Sequence, residues 1–404
     1  MVTGVVLARE LGPHRRGELA AMLLWTLLVA WVGTLGIPEA LTYETASRRQ
    51  TAQRAVGTAI CVWFLLSLVL VAIGAIVLAL TLSGYSADTQ ETGYLLLPVI
   101  PLSLATSLTG AVLQGLGTFG RFSLVRTLIP MVTAICLVSI TLFSALTVRS
   151  AAISYIVTYF VTAAVGFALV RRTPVWGIAF DMAMLRRMLR YGVRSQSTLM
   201  TSILIERLDQ LLISLLLGAT SLGLYTVAIT LTSASALAAS AVSLVAFPHI
   251  AALQDTPQRV AASRRFILLA LALSGLVTIP IFAATPQLLS LFFGPAFSQV
   301  SAACRVLLVA GVFFACSQLF VALLRGLGRP LDAGVAGAVG VGVTVVLLAV
   351  LLPTLGIMGA ALASLVAYAI TAWWMLRQVC RALGLPLMRF VLGSRHAQVA
   401  GDTV

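Results

Sequence analysis

Lysine is absent: all 26 basic residues of this 404-residue chain are arginine, set against 12 acids and 3 histidines. Charge of either sign is scarce, at 9% of residues, where a soluble domain carries about 25%. A chain so poor in charge cannot cover a globule with polar side chains, which excludes a water-soluble fold. The net charge of +14 would point a soluble protein toward nucleic acid. Here the arginines lie in short loops between apolar runs, so no nucleic-acid partner is expected. The five cysteines, Cys61, Cys136, Cys304, Cys316 and Cys380, lie in or beside apolar runs and form no CxxC pair. That excludes a disulfide scaffold or a zinc motif and leaves small buried hydrophobes. His14, His249 and His396 fall in expected loops or the tail, so neither a catalytic nor a metal role is expected, and no cofactor. No stretch reads as a cleavable signal peptide.

What is present is apolar: 60% of residues, with a mean hydropathy of +1.07. Runs of about 20 apolar residues recur along the chain, each able to cross a hydrocarbon core of about 30 Å. They predict complete spans near 19–37, 55–82, 94–117, 122–147, 150–170, 193–217, 222–247, 264–285, 302–325, 331–353 and 356–379. Met1–Ala8 would begin another, but eight residues rise only about 12 Å as a helix. The first helix is therefore expected to be cut short, with the true start upstream. The fold class is all-α, a polytopic membrane protein of about twelve transmembrane helices.

Arginine placement tests this map. With the loop of Arg48, Arg49 and Arg54 in the cytoplasm, strict alternation puts 19 arginines inside. Only 5 lie outside, among them Arg9, Arg15 and Arg16. One missed span would scramble that asymmetry. Both termini are then cytoplasmic, and the arginine-for-lysine, Ala- and Gly-rich composition suits a GC-rich bacterium, hence a bacterial inner membrane. The outer loops are short, the longest being 83–93, which excludes an extramembrane catalytic domain.

The halves repeat. Leu11-Gly12-x4-Gly17 returns as Leu217-Gly218-x4-Gly223, and Gly115-Leu116-Gly117 as Gly326-Leu327-Gly328. Val157-x-Tyr159-x-Val161-Thr162-Ala163 returns as Val366-x-Tyr368-x-Ile370-Thr371-Ala372. The offsets stay near 210 residues, about six helices, an even number. The repeat is therefore parallel, with two six-helix bundles related by an axis along the membrane normal. The expected domains are residues 1–170, a six-helix bundle with an incomplete first helix, and 192–380, the second bundle. Between them lies a cytoplasmic amphipathic, Met-rich linker, 171–191, at the headgroup surface, and 381–404 is a cytoplasmic tail.

The seventh span carries Glu206, Arg207 and Asp209 in an otherwise apolar run. A charge at mid-bilayer costs about 2.5–3.5 kcal/mol or more and normally faces a bundle interior or wet cavity. At about 100° per residue, Ser195, Ser202, Glu206, Asp209 and Gln210 share one arc, with Arg207 at its edge. This stripe reads either as the wall of a substrate cavity or as a polar network that fixes helix packing. The first half offers no buried carboxylate: Glu39 and Glu44 fall at a cytoplasmic helix end, and Asp88 and Glu91 in an outer loop.

Certain segments resemble a known family. These are Leu7-Ala-Arg-Glu-Leu-Gly-Pro13 with Gly17, Arg207-Leu-Asp-Gln-Leu-Leu-Ile213, Gly218-x4-Gly223-Leu-Tyr225, Leu291-Phe-Phe-Gly-Pro295, Arg325-Gly-Leu-Gly-Arg-Pro330 and Leu355-Gly-Ile-Met-Gly-Ala-Ala-Leu-Ala363. Together they resemble the polysaccharide flippases of the multidrug, oligosaccharidyl-lipid and polysaccharide exporter superfamily, over essentially the whole chain. The resemblance implies two six-helix bundles around a cavity. It also implies a transporter, not an enzyme, that flips a polyprenyl-diphosphate-linked oligosaccharide outward by alternating access for cell-surface polysaccharide. Membrane lipid and glycan polymerase or assembly proteins are the implied partners. Arg207 and Asp209 would line the cavity with Glu206, Gln210 and Ser202, and Arg9 would sit near its outer rim. Gln210 stands where members often carry a second basic residue. A drug or cation exporter of the same superfamily and a non-transporting scaffold are the alternatives.

Overall fold

The computed structural model describes the backbone of residues 2–47, 49–253 and 255–386, and their side chains except those of 49, 196–203, 234–240, 244, 248, 251–252 and 330. Among the described residues there are helices and turns and no strand, as a lipid-embedded chain requires, because a helix satisfies its own backbone. The first half comprises α1 (Val2–Gly33), α2 (Ile37–Ser47), α3 (Arg49–Thr81), α4 (Ala87–Leu95), α5 (Val99–Gly115), α6 (Phe119–Phe143) and α7 (Val148–Arg171). The second comprises α8 (Met182–Leu216), α9 (Gly218–Ala252), α10 (Thr256–Ala283), α11 (Thr285–Leu288), α12 (Ser301–Gly326) and α13 (Pro330–Ala382).

Eight helical runs among the described residues are long and apolar enough to span a membrane. Two of these runs hide a reversal. Gly12 (φ 69°) breaks α1, and Gly356 (φ 57°) breaks α13, both in conformations that favour glycine. Counting α1 and α13 twice and adding α8 and α9 to the eight gives twelve helical segments. Large apolar side chains such as Phe64, Leu68, Leu80 and Phe143 are exposed, which suits a surface whose solvent is lipid.

Local chemistry sets the helix ends. Thr147 and Ser150 form a reciprocal capping box at the start of α7, satisfying two orphan donors at once. The outer segment expected as a loop holds α4, begun by Ser86, whose hydroxyl accepts from the Thr89 amide at 3.3 Å. The repeated Gly-Leu-Gly is a helix stop: Gly117 (φ 71°) ends α5 and Gly328 (φ 77°) ends α12. In both, the following amide donates back across the last turn, Thr118 to Leu113 at 3.0 Å and Arg329 to Leu324 at 2.8 Å, the paired bonds of a glycine-terminated helix.

The chain forms two compact units. One comprises residues 1–203, 210–226 and 292–296; the other comprises 204–209, 227–291 and 297–404. In the first, Ile37, Leu41, Val56, Val112, Leu113, Met184 and Met188 share a core. In the second, Ile250, Leu319, Phe320, Leu323, Leu324, Met375 and Val379 do.

Two expectations change here. The Met-rich face of 171–191 is not spread on the headgroups: Met184 and Met188, one turn apart on α8, are fully buried against residues of α2 and α5. Burying two thioether side chains inside protein satisfies the same apolar face that amphipathicity alone assigns to lipid. Moreover α8 runs unbroken from Met182 to Leu216, so the second half of the expected linker and the seventh span are one helix, started by Asp181, whose carboxylate accepts from the Ala183 and Met184 amides.

Candidate functional site

The α8 stripe is the first of two polar groups. Asp209 and Gln210 are buried, Arg207 is half-buried and Glu206 is exposed. Ser202 lies outside the residues whose side chains are described. In the second unit Tyr368 of α13 donates its hydroxyl to the Ile205 carbonyl at 3.1 Å, close enough to Asp209 and Glu206 to interact electrostatically with both. Phe314 of α12 packs on the Tyr368 ring, with centroids 5.2 Å apart. Tyr368 belongs to the third repeat motif, so that motif places a hydroxyl beside the stripe. The unit boundary falls within the stripe: residues 204–209 group with the second unit, and Gln210 onward with the first. Arg9 belongs to the first unit, where its Nε donates to the Phe292 carbonyl at 2.9 Å.

The second polar group was not anticipated. Arg15 and Arg16 were expected in an outer loop, yet the helix resumes at Pro13 and Arg16 lies 7% exposed inside α1. Its guanidinium donates to the Gly4 carbonyl and, at 3.4 Å, to the Thr226 hydroxyl, and the Tyr155 phenol of α7 lies within electrostatic reach. Two residues on, Glu18 is also buried. It accepts from Thr89 of α4 at 2.7 Å, and His14 Nε2 stands 3.5 Å from the same carboxylate. The other ring nitrogen of His14 meets the Thr220 hydroxyl at 3.0 Å. The expectation that the first half holds no buried carboxylate is therefore wrong. Glu18 is one such group and Glu44 of α2, 3% exposed, is another. Charged residues crowded at positions 14–18 look like a loop, and only tertiary packing of α1 with α4 and α9 buries two of them, Arg16 and Glu18, while His14 and Arg15 stay exposed.

The motif that holds this group in place is the first repeat. A Cβ on Gly17 would collide with the Ala219 carbonyl, and one on Gly223 with the Pro13 carbonyl. The two copies of Leu-Gly-x4-Gly thus pack on each other about a local two-fold axis, residue 17 on 13 + 206 and its counterpart in return. In each copy the first glycine, Gly12 or Gly218, takes a positive φ, and the second permits backbone-to-backbone contact. Small residues that admit such close approach are a main means of joining helices in a membrane, where burial of apolar surface contributes little. Among the described residues no group of three or more His, Cys, Asp or Glu could hold a metal ion.

Comparison with known proteins adds the following. Residues 6–301 match the family model described as "Polysaccharide biosynthesis protein". No curated protein sequence matches the chain. The fold is similar to an inward-facing multidrug resistance MATE family transporter of the MOP superfamily (TM-score 0.73, 16% identity, 94% of each chain covered). It is also similar to the lipid II flippase MurJ in an inward closed conformation (TM-score 0.77, 16% identity, 96% of this chain and 86% of that one). A MOP superfamily transporter from Pyrococcus furiosus, described as having a binding pocket of reverse polarity, matches at TM-score 0.55 and 17% identity, over 95% and 92% of the two chains. At these identities the likeness is one of fold.

Proposed function

This chain belongs to the polysaccharide biosynthesis protein family, and we propose that it is a transporter rather than an enzyme, flipping a polyprenyl-diphosphate-linked oligosaccharide from the inner to the outer leaflet of a bacterial plasma membrane. The observation that carries the reading is the α8 stripe: the buried Asp209 and the half-buried Arg207 within a 35-residue helix, long enough to cross a membrane. Keeping charge there is costly, and such residues mark substrate paths. The sugar head and its diphosphate enter a polar cavity while the polyprenyl tail stays in lipid. Arg207 meets the diphosphate with charge-assisted hydrogen bonds, with Asp209, Glu206, Gln210 and Ser202 orienting the arginine or the sugar. Alternating access then exposes the head on the far side. With both termini cytoplasmic and the inside negative, outward movement of an anion gains about 2.3 kcal/mol per charge per 100 mV if the whole potential drop is crossed. Glycan polymerase or assembly proteins would receive the product.

The test is depletion in the host followed by measurement of lipid-linked oligosaccharide on the cytoplasmic leaflet. Wild type should clear the accumulated glycolipid. Arg207→Ala, losing a charge-assisted contact worth about 1.5–3 kcal/mol, should slow clearance about tenfold or more. Arg207→Lys should recover only part, since charge is kept but the planar fork is lost. No accumulation on depletion sinks the glycolipid reading.

The buried Glu18, with His14 beside it, favours a second reading: export of a cation, or coupling to one. Glu18→Gln should then abolish the dependence of transport on an imposed proton or sodium gradient. An unchanged gradient dependence eliminates that reading.

A further inference from the structure

A cavity of about 240 Å³ opens in the first unit between α2 and the first turns of α8, lined by Tyr43, Glu44, Arg187, Arg190, Tyr191 and Arg194 among others. It is held open by packing. The buried Met184 and Met188 anchor α8 to the core, and further along Gly192 passes so close to the turn at Leu35–Gly36 that a Cβ would stand 2.6 Å from the Leu35 carbonyl oxygen. Along this stretch three arginines, Arg187, Arg190 and Arg194, at i, i+3 and i+7 of α8 fall on one helix face. The Tyr43 and Tyr191 rings stack at 4.8 Å and form a flat wall.

Glu44 is the unusual member. It is 3% exposed. One of its oxygens lies 3.7 Å from Arg187 Nε, while the other, Oε2, is buried with no hydrogen-bond partner. A buried carboxylate oxygen without a donor is costly, and here it borders a cavity wide enough to bring one. Three arginines against one glutamate leave the lining net cationic. The occupant therefore has an anionic end for the arginines and a hydroxyl for Glu44, with C–H surface able to lie on tyrosine.

We propose that this cavity binds a phosphate ester of a polyol, with the phosphate on Arg190 and Arg194 and a hydroxyl donated to Glu44 Oε2. That chemistry is shared by a glycerol-phosphate lipid headgroup and by the glycosyl phosphate of a lipid-linked sugar. Binding is read without any translocation, so its failure leaves the transport reading standing, and a failed transport assay leaves this site intact.

The full-length protein in detergent is titrated calorimetrically with inorganic phosphate and with glucose 1-phosphate, then in nanodiscs with phosphatidylglycerol and with phosphatidic acid. Glucose 1-phosphate is expected to bind about tenfold more tightly than inorganic phosphate, the margin of one hydrogen bond to a charged acceptor. Arg190→Gln with Arg194→Gln should weaken both about tenfold. Glu44→Gln should reduce the preference to about threefold, since a neutral amide oxygen accepts more weakly, while strengthening inorganic phosphate, since a repelling charge is gone. In the nanodisc arm, preference for phosphatidylglycerol over phosphatidic acid assigns the site to membrane lipid; its absence, with the soluble preference kept, assigns it to the glycosyl phosphate. Equal binding of the two soluble phosphates to wild type overturns the proposal, as does binding unchanged by the two arginine substitutions. Arg190 and Arg194 are both exposed, so their substitution decides the matter even where Glu44→Gln fails to fold.

Discussion

Gly17→Ala and Gly223→Ala are each expected to destabilise the protein by about 2–3 kcal/mol, at the upper end of what overpacking costs. The added methyl would meet main-chain carbonyls, Ala219 in one case and Pro13 in the other, and a main-chain atom cannot rotate aside as a side chain can. Relief requires α1 and α9 to separate, which stretches His14 from Thr220 and Arg16 from Thr226, contacts of 3.0 and 3.4 Å. Because the crossing is two-fold symmetric, the two single substitutions should cost similar amounts. The double substitution should cost less than their sum, since helices already forced apart admit the second methyl. Gly120→Ala in α6 is the control. A Cβ there meets nothing within 4 Å, and replacing a helical glycine should be neutral or stabilise by up to about 1 kcal/mol. Thermal unfolding of the detergent-solubilised protein measures all four. A Gly17→Ala protein as stable as wild type rules out the close crossing.

Arg16→Ala is expected to cost about 3 kcal/mol, comparable to breaking a buried charge interaction elsewhere. It strips the donor from the Gly4 carbonyl and the Thr226 hydroxyl and leaves a void beside Tyr155. Arg16→Lys should rescue little, because one ammonium cannot reproduce the guanidinium fork that reaches two acceptors on different helices. Glu18→Gln should be milder, about 1 kcal/mol, because an amide oxygen still accepts from Thr89. That ordering is readable from thermal midpoints. An Arg16→Ala midpoint equal to wild type would mean the guanidinium is dispensable and its burial incidental.

The apolar runs, the arginine asymmetry and the repeat were legible in the sequence because each is a one-dimensional property. A run of about 20 apolar residues needs no partner to be a span, and a motif recurring at a constant offset needs no structure to be a repeat. The same reading placed the α8 stripe, since charges inside an apolar run stand out wherever they point. It failed at positions 14–18. Four ionisable residues in five, His14, Arg15, Arg16 and Glu18, look like a loop when only neighbours in the chain are weighed. The repeat held the missing signal: Gly17 corresponds to Gly223, which lies inside the apolar α9, so its own surroundings are helical too.

Sequence alone therefore determined that this chain is an all-helical membrane protein of two similar halves with ionisable residues inside α8. Hydrophobicity, charge bias and periodicity are summed along the chain and survive without tertiary information. Only the tertiary structure decided which charges are buried. Arg16, Glu18 and Glu44 sit away from solvent because helices remote in sequence close over them, and Met184 and Met188 turn inward because α2 and α5 offer an apolar surface. A side chain's environment is set by its neighbours in space, and the chain names those neighbours only once it has folded.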